Sequence, residues 1–383
     1  MKNRSAFVLI VALAIALLAG CAPAAAPTAA PAPAATTAPA AAATTAPVAA
    51  PTTAPAAAAT TAPAASGDLV KFPFRLNWTF YGEHTGFIVA HDLGYYEEEG
   101  LDVEIMEGSG STTVAQLIAS GEQPVGYIDS ATMMRGVAAG MPIQAVGVLL
   151  QQSPMAFIYR ADAARPTSLD EVKGSRIAVT AGDASMAIFT AFMGKSGMNV
   201  EDVELITVSN PAAKEQAVLA GQADALLGYF MDQGPRMQLQ SGVEMGWTRL
   251  YDLNGTTTLS SAIVVNQNWL EDEANQEILK KFLRASQRGW QWTYDNREEA
   301  AEMFVKTATA FTPEIAKLEI DGTMTILRSA RTEGKPIGYS DAADWQDSQD
   351  LLETFAGLTP VKEDVNDYFT NDFLSEAPYM PVK

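Results

Sequence analysis

Four side chains with binding chemistry fall within seven residues: Trp78, Tyr81, Glu83 and His84, with Asn77 just before them. Flat apolar faces beside a few hydrogen-bonding groups are the usual furniture of a small-molecule site. Further along, Gly108-Ser109-Gly110-Ser111-Thr112 offers amides and hydroxyls at a helix start. Asp129-Ser130, Gly182-Asp183-Ala184-Ser185 and Gly228-Tyr229-Phe230-Met231-Asp232 complete the set. The candidate ligand contacts are therefore Asn77, Trp78, Tyr81, Glu83, His84, Ser109, Ser111, Thr112, Asp129, Ser130, Asp183, Ser185, Tyr229, Phe230 and Asp232.

No catalytic constellation accompanies them. Gly108-Ser109-Gly110 is not a phosphate loop, because no Gly-Lys-Ser/Thr follows. It is not a nucleophile elbow either, since no Gly-x-Ser-x-Gly stands between a strand and a helix. The chain has two histidines and one cysteine, too few for a clustered metal site. Neither a catalytic residue, a metal nor a cofactor is expected. His91, beside Asp92, reads as a solvated surface residue, and Trp247, Trp290 and Trp292 read as core or surface aromatics.

The elements that must position these loops alternate along the chain. Phe72, Phe74, Leu76 and Trp78 alternate as a first strand, and Val103 with Ile105 belongs to a second. Further strands are expected at 125–128, 143–150, 157–159, 176–179, 205–208, 223–227 and 262–265. Helices should begin near Thr113, after the Asp129-Ser130 cap, near Leu169, at Ser185 and at Asn210-Pro211. This alternation predicts α/β architecture with mainly parallel sheets. In such sheets ligands sit beyond the carboxyl ends of strands, which is where all five loops fall. A helix-rich stretch follows residue 265. If it packs back on the first half, the chain forms two lobes, with 68–156 and 263–383 in one and 157–262 in the other. Two crossovers then make a hinge beneath a cleft.

The N-terminal segments and the net charge bear on compartment. Residues 1–21 join Lys2 and Arg4 to an apolar run, then Leu18-Ala19-Gly20-Cys21, an export signal ending at the lone cysteine. The tetrad resembles a bacterial lipobox, which makes Cys21 the expected lipidated N-terminus of the mature protein. One cysteine allows no intrachain disulfide. Residues 22–67 are almost all Ala, Pro and Thr, a composition that cannot offset its ordering entropy and is expected to serve as a disordered tether. The formal net charge of -20 disfavours nucleic acid as a partner, because phosphate binding needs a basic face. It also argues against a body lying flat on anionic lipid, so membrane association is expected through the anchor alone.

From Phe72 to past Trp292 the chain resembles the bacterial ABC-transporter solute-binding proteins related to the thiamine-pyrimidine synthase of fungi, near the alkanesulfonate and taurine binders. Asn77-Trp78 with His84, Gly94-Tyr95-Tyr96 with Glu99-Gly100-Leu101-Asp102, and Gly221-Gln222-Ala223-Asp224-Ala225 carry the likeness. The resemblance implies a type II periplasmic-binding fold: two α/β lobes, a two-crossover hinge and a central ligand cleft. It also implies a monomer that hands its ligand to a membrane permease driven by a separate ATPase.

The synthase branch uses a lysine for pyridoxal phosphate, a histidine consumed as substrate, and a cysteine cluster. At the corresponding places this chain has Ile128 and Thr132, and no cysteine at 256–261, so an enzyme is not expected. The five loops carry Glu83, Asp129, Asp183 and Asp232 without Arg or Lys, which argues for a neutral ligand over a sulfonate or nitrate. In the family's pyrimidine binders an acid follows the Gly-Tyr-like pair; here Phe230 holds that place. The exchange favours a larger fused ring, and riboflavin is the expected ligand, stacked by Trp78, Tyr229 or Phe230. A thiamine-precursor aminopyrimidine is the alternative.

Overall fold

A computed structural model describes residues 68–163, 165–181 and 184–376. The export signal, the Ala/Pro/Thr segment, Cys21 and Asp183 lie outside the described residues.

The chain builds two five-stranded sheets. The first takes β1 (Val70–Arg75), β2 (Leu101–Met106), β3 (Val125–Asp129), β4 (Ile143–Val148) and β10 (Ser261–Asn266), in the order β2-β1-β3-β10-β4. The second takes β5 (Met155–Arg160), β6 (Arg176–Thr180), β7 (Glu204–Val208), β8 (Ala225–Tyr229) and β9 (Met245–Arg249), in the order β7-β6-β8-β5-β9. Helices α1 (Thr85–Asp92), α2 (Tyr95–Glu98), α3 (Ser111–Ser120) and α4 (Ser130–Ala138) belong to the first half. Helices α5 (Leu169–Val172), α6 (Ser185–Lys195), α7 (Pro211–Leu219), α8 (Gln233–Ser241) and α9 (Leu250–Asn254) accompany the second sheet. After β10 come α10 (Glu273–Asp295), α11 (Arg297–Thr307), α12 (Pro313–Met324) and α13 (Ala342–Ala356). The result is an α/β protein of two lobes.

Three expectations change. The sheets are mixed: β10 runs antiparallel to both β3 and β4, and β5 runs antiparallel to both β8 and β9. These two strands follow the connections between the sheets, so each enters from the opposite end. Their buried apolar run reads the same in either direction, because both faces are covered. The first strand stops at Arg75, and Trp78 has left the ladder: the Asn77 and Trp78 carbonyls instead accept the Gly110 and Gly108 amides at 3.0 and 2.9 Å. Finally, β9 lies where the sequence pattern predicts no strand. It is an edge strand, half exposed, whose Met-Gly-Trp-Thr-Arg lacks an apolar run.

Local rules account for many boundaries. Asp129 caps α4 by accepting the Thr132 N–H at 3.1 Å. Asn210 caps α7 by accepting the Ala213 N–H at 2.9 Å, with Pro211 in the first turn. Gly94, with φ of +74°, makes the left-handed link between α1 and α2.

Packing of α1 and α10 on the first sheet places the 77–84 loop. Phe72, Phe74, Phe87, Tyr96, Phe282 and Trp290 form one buried cluster, with Phe282 stacked on Phe72 at 4.5 Å and on Tyr96 at 5.4 Å. Gly86 is required here, since a Cβ would fall 2.3 Å from the Trp290 indole. The same sheet shares a second cluster with α13, through Trp345 and Leu352.

Candidate functional site

Five residues of the first lobe (Asn77, Trp78, Tyr81, Glu83, Ser111) meet nine of the second (Met155, Ala184, Ser185, Lys214, Leu227, Gly228, Tyr229, Asp232, Gln233) around one small cavity. Each wall follows from a strand end. The chain turns out of β1 to present Trp78, α3 begins at Ser111, α6 begins at Ser185, and β8 runs out through Tyr229 to Asp232 at the start of α8.

Eight expected residues thus share one cavity: Asn77, Trp78, Tyr81, Glu83, Ser111, Ser185, Tyr229 and Asp232. Six are placed elsewhere. His84 is fully buried behind the wall, with Nε2 2.7 Å from Asn77 Oδ1 and Nδ1 accepting the Tyr81 N–H at 3.1 Å. Both ring nitrogens are used by the protein, and burial pushes the imidazole down to about 3. Asp129 and Ser130 are buried in the α4 cap and its link to Ser260, whose hydroxyl reaches Asp129 at 3.2 Å. Ser109 and Thr112 are exposed; successive residues at the start of α3 point in different directions, and only Ser111 turns inward. Phe230 turns away from the cavity to pack on two core clusters, under the Arg249 guanidinium at 5.0 Å.

The expectation of a cation-free site is also corrected, since the cation comes from a helix rather than a loop. Lys214 of α7 lines the cavity, donating from Nζ to the Leu227 carbonyl at 2.9 Å and standing 5.8 Å from the Trp78 ring centroid across the cleft. A signal existed: Lys214 stands three and four residues before the buried Ala217 and Val218, on the same helix face. Gln233 escaped the sequence reading, which took Gly228 only as the start of the loop that ends at Asp232. A Cβ on Gly228 would fall 1.8 Å from Gln233 Oε1, so the glycine makes room for that side chain.

Acid dominates the inner wall. Glu83 Oε1 accepts from Asn77 Nδ2 at 3.2 Å and Oε2 from Ser261 Oγ at 3.4 Å, while burial pushes the carboxyl up to about 8. Glu319 of α12, behind the loop, accepts the Gly82 N–H at 2.7 Å and is pushed up to about 8 by burial. Asp232 is wholly buried, and neither carboxyl oxygen has a hydrogen-bond partner among the described residues. Burial first, and then the Glu319 and Glu83 charges, hold it well above the usual carboxylate range. A buried unpaired acid is costly, and a ligand that brings N–H or O–H donors relieves that cost. The aromatic side chains of Trp78, Tyr81 and Tyr229 also line the cavity.

Two α/β lobes that meet on such a cavity make a fold of the periplasmic-binding type. The chain belongs to the family described as NMT1/THI5 like, whose model matches residues 82–300. A formylaminopyrimidine-binding protein of Halalkalibacterium halodurans is 24% identical over 288 residues, covering 73% of this chain and 85% of that one. The riboflavin-binding protein RibY of Chloroflexus aurantiacus is 25% identical over 303 residues, covering 76% and 83%. A 4-amino-5-hydroxymethyl-2-methylpyrimidine phosphate synthase of Legionella pneumophila is 24% identical over 312 residues, covering 80% and 93%. In fold, the periplasmic aliphatic sulphonate binding protein SsuA of Escherichia coli superposes with a TM-score of 0.58 at 16% identity, over 83% of this chain and 97% of that one.

Proposed function

We propose that this chain is the solute-capturing component of an ABC importer for a flat nitrogen heterocycle of vitamin or vitamin-precursor size, and that it performs no chemistry on it. Asp232 carries the reading. An unpaired buried carboxyl on an aromatic-lined cavity calls for a donor-bearing ring edge, and an aminopyrimidine presents one. The preference for a larger ring depends on Phe230 facing the ligand; with Phe230 out of the wall and Asp232 in it, the balance moves to the pyrimidine. The likeness to a formylaminopyrimidine-binding protein supports the same choice. Against a synthase stand the absent lysine, histidine and cysteines, with Ile128 buried in β3.

Riboflavin is the second reading, favoured by the three aromatic faces and by Ser111 and Ser185 as partners for ribityl hydroxyls. In either case the mature protein is anchored by lipid on Cys21, faces outward from the cytoplasmic membrane and passes its ligand to a permease with a separate ATPase. None of the helices among the described residues is long and apolar enough to cross a membrane.

Calorimetric titration of the purified protein with formylaminopyrimidine, riboflavin and an alkanesulfonate tests the choice. Formylaminopyrimidine should bind tightest, and Asp232→Asn should weaken it about 10- to 100-fold, the cost of leaving a buried polar group mispaired. A yellow protein with a flavin absorption band selects riboflavin instead. Heat only with the sulfonate, or turnover of any ligand, refutes the reading.

A further inference from the structure

The lobes meet on two flanks of the cleft: one is apolar, and the other adds a buried guanidinium to its apolar contacts. On one flank α6 of the second lobe packs on α13. Ala191 shares a buried cluster with Trp345 and Leu352, Leu351 packs on the cluster around Phe189, and a Cβ on Gly194 would fall 3.0 Å from the Phe355 carbonyl oxygen. The returning connection lies here too, since the Leu259 N–H donates to Ser348 Oγ at 2.9 Å. On the other flank α8 meets α12 and the 81–84 turn. A Cβ on Gly322 of α12 would fall 2.3 Å from Met231 Cβ, so the lobes touch closely there as well.

The polar contact of that second flank is Arg236. Its Nη2 donates to the Tyr81 hydroxyl at 2.7 Å and to Glu215 of α7. Its guanidinium lies 4.5 Å from the Tyr81 ring centroid and 5.6 Å from that of Phe311. Tyr81 and Phe311 belong to the first lobe, Arg236 and Glu215 to the second. Glu319 grips the neighbouring Gly82 amide from the first lobe, so the turn that carries Trp78 and Glu83 is held from both sides.

We propose that Arg236 is a cross-lobe latch, a positioning residue that fastens the Tyr81–Gly82 turn to α8 when the lobes close, while the α6–α13 seam stays shut as the hinge. Parting an apolar helix seam exposes its whole buried area to water with nothing in return. Parting the Arg236 guanidinium from the Tyr81 hydroxyl exchanges a protein hydrogen bond for bonds to water, which recovers most of what is lost, while Glu215 stays with Arg236 in the second lobe. The Arg236–Tyr81 bond is therefore the part of the contact between the lobes that costs least to break. This inference rests on the reading of the chain as a two-lobed capture protein.

Spin labels on the exposed positions Gln240→Cys of α8 and Glu302→Cys of α11, in the full chain with Cys21→Ser, report the gap between the lobes without any ligand. Arg236→Met should cut the short-distance population at least threefold, Arg236→Lys should fall between, and formylaminopyrimidine should leave the Met variant faster than the parent. An unchanged distance distribution in Arg236→Met with its Tm retained overturns the latch. If that variant does not fold, Tyr81→Phe decides, and an unchanged distribution there overturns the latch equally. A parent protein that binds neither formylaminopyrimidine nor riboflavin, yet opens on Arg236→Met, sinks the assigned function and leaves the latch standing.

Discussion

His84 donates from Nε2 to Asn77 Oδ1 at 2.7 Å, and because its Nδ1 accepts the Tyr81 N–H, the ring is a neutral tautomer fixed by two bonds. Asn77 in turn donates to Glu83 at 3.2 Å, so one amide joins the imidazole to the cavity acid. His84 supports the loop from behind the wall, while Asn77 lines the cavity. His84→Leu should lower stability by about 2–4 kcal/mol, because it strands two buried polar groups. Chemical denaturation measures this. A variant of wild-type stability would show that the imidazole supports nothing.

Protons shape stability above pH 6.5. Glu83 and Glu319 stand near 8 when folded against about 4.5 as free side chains, so the folded state keeps protons that the unfolded chain has released. Their contribution is complete below about 4.5 and is lost as pH rises through 8. Asp129, held near 6 by burial, adds the same slope lower down. His84 acts oppositely, its contribution complete above 6.5 and lost as pH falls toward 3. Between 6.5 and 8 the imidazole is neutral in both states and only the carboxyls count, each proton retained on folding costing about 1.4 kcal/mol per pH unit. Thermal melts of ligand-free protein should therefore drop from pH 6.5 to 8. Glu319→Gln, which keeps an acceptor for Gly82 without a charge, should flatten the slope; a melt that rises with pH in the parent contradicts the buried acids.

Trp78 and Tyr229 face the cavity from opposite lobes. Replacing Trp78 with Ala removes a stacking partner worth about 0.5–1.5 kcal/mol beyond its buried area, so affinity should fall at least about tenfold. Phe230→Leu should leave affinity nearly unchanged, since its ring packs away under Arg249. Equal losses in the two variants would return Phe230 to the ligand wall.

Gly108 sets the approach of two loops. A Cβ there would fall 1.9 Å from the Leu76 carbonyl oxygen, and the Gly108 N–H donates to the Trp78 carbonyl at 2.9 Å. Gly108→Ala should cost about 1–3 kcal/mol and also weaken ligand binding, because relief requires moving the strand end that presents Trp78. Unfolding curves and titration on the same preparation check both effects. Lost stability with full affinity would mean that the strain is absorbed away from Trp78.

Much of the fold is local and so legible. Asp129 and Asn210 announce helix starts because capping needs only a side chain and the amide three residues on. The β-strand alternation of Phe72, Phe74 and Leu76 places the loops at the carboxyl ends of strands, and the cavity draws its walls from those ends. Beyond the last ladder residue the period of two no longer governs, and Phe230 and Asp232 show the consequence. The turn out of β8 sends the ring outward and the acid inward, reversing the ligand argument built on Phe230.

Long-range placement is not legible at all. Glu319 reaches Gly82 across 237 residues, and Arg236 reaches Tyr81 across 155, contacts for which no local pattern exists. By itself the sequence determined the α/β class, the loops and the family likeness, because these depend on periodicity, caps and contiguous motifs. Only the tertiary structure decided which loop residues face the ligand, where the cations stand and which acid is left unpaired, because burial and pairing are properties of distant elements brought together.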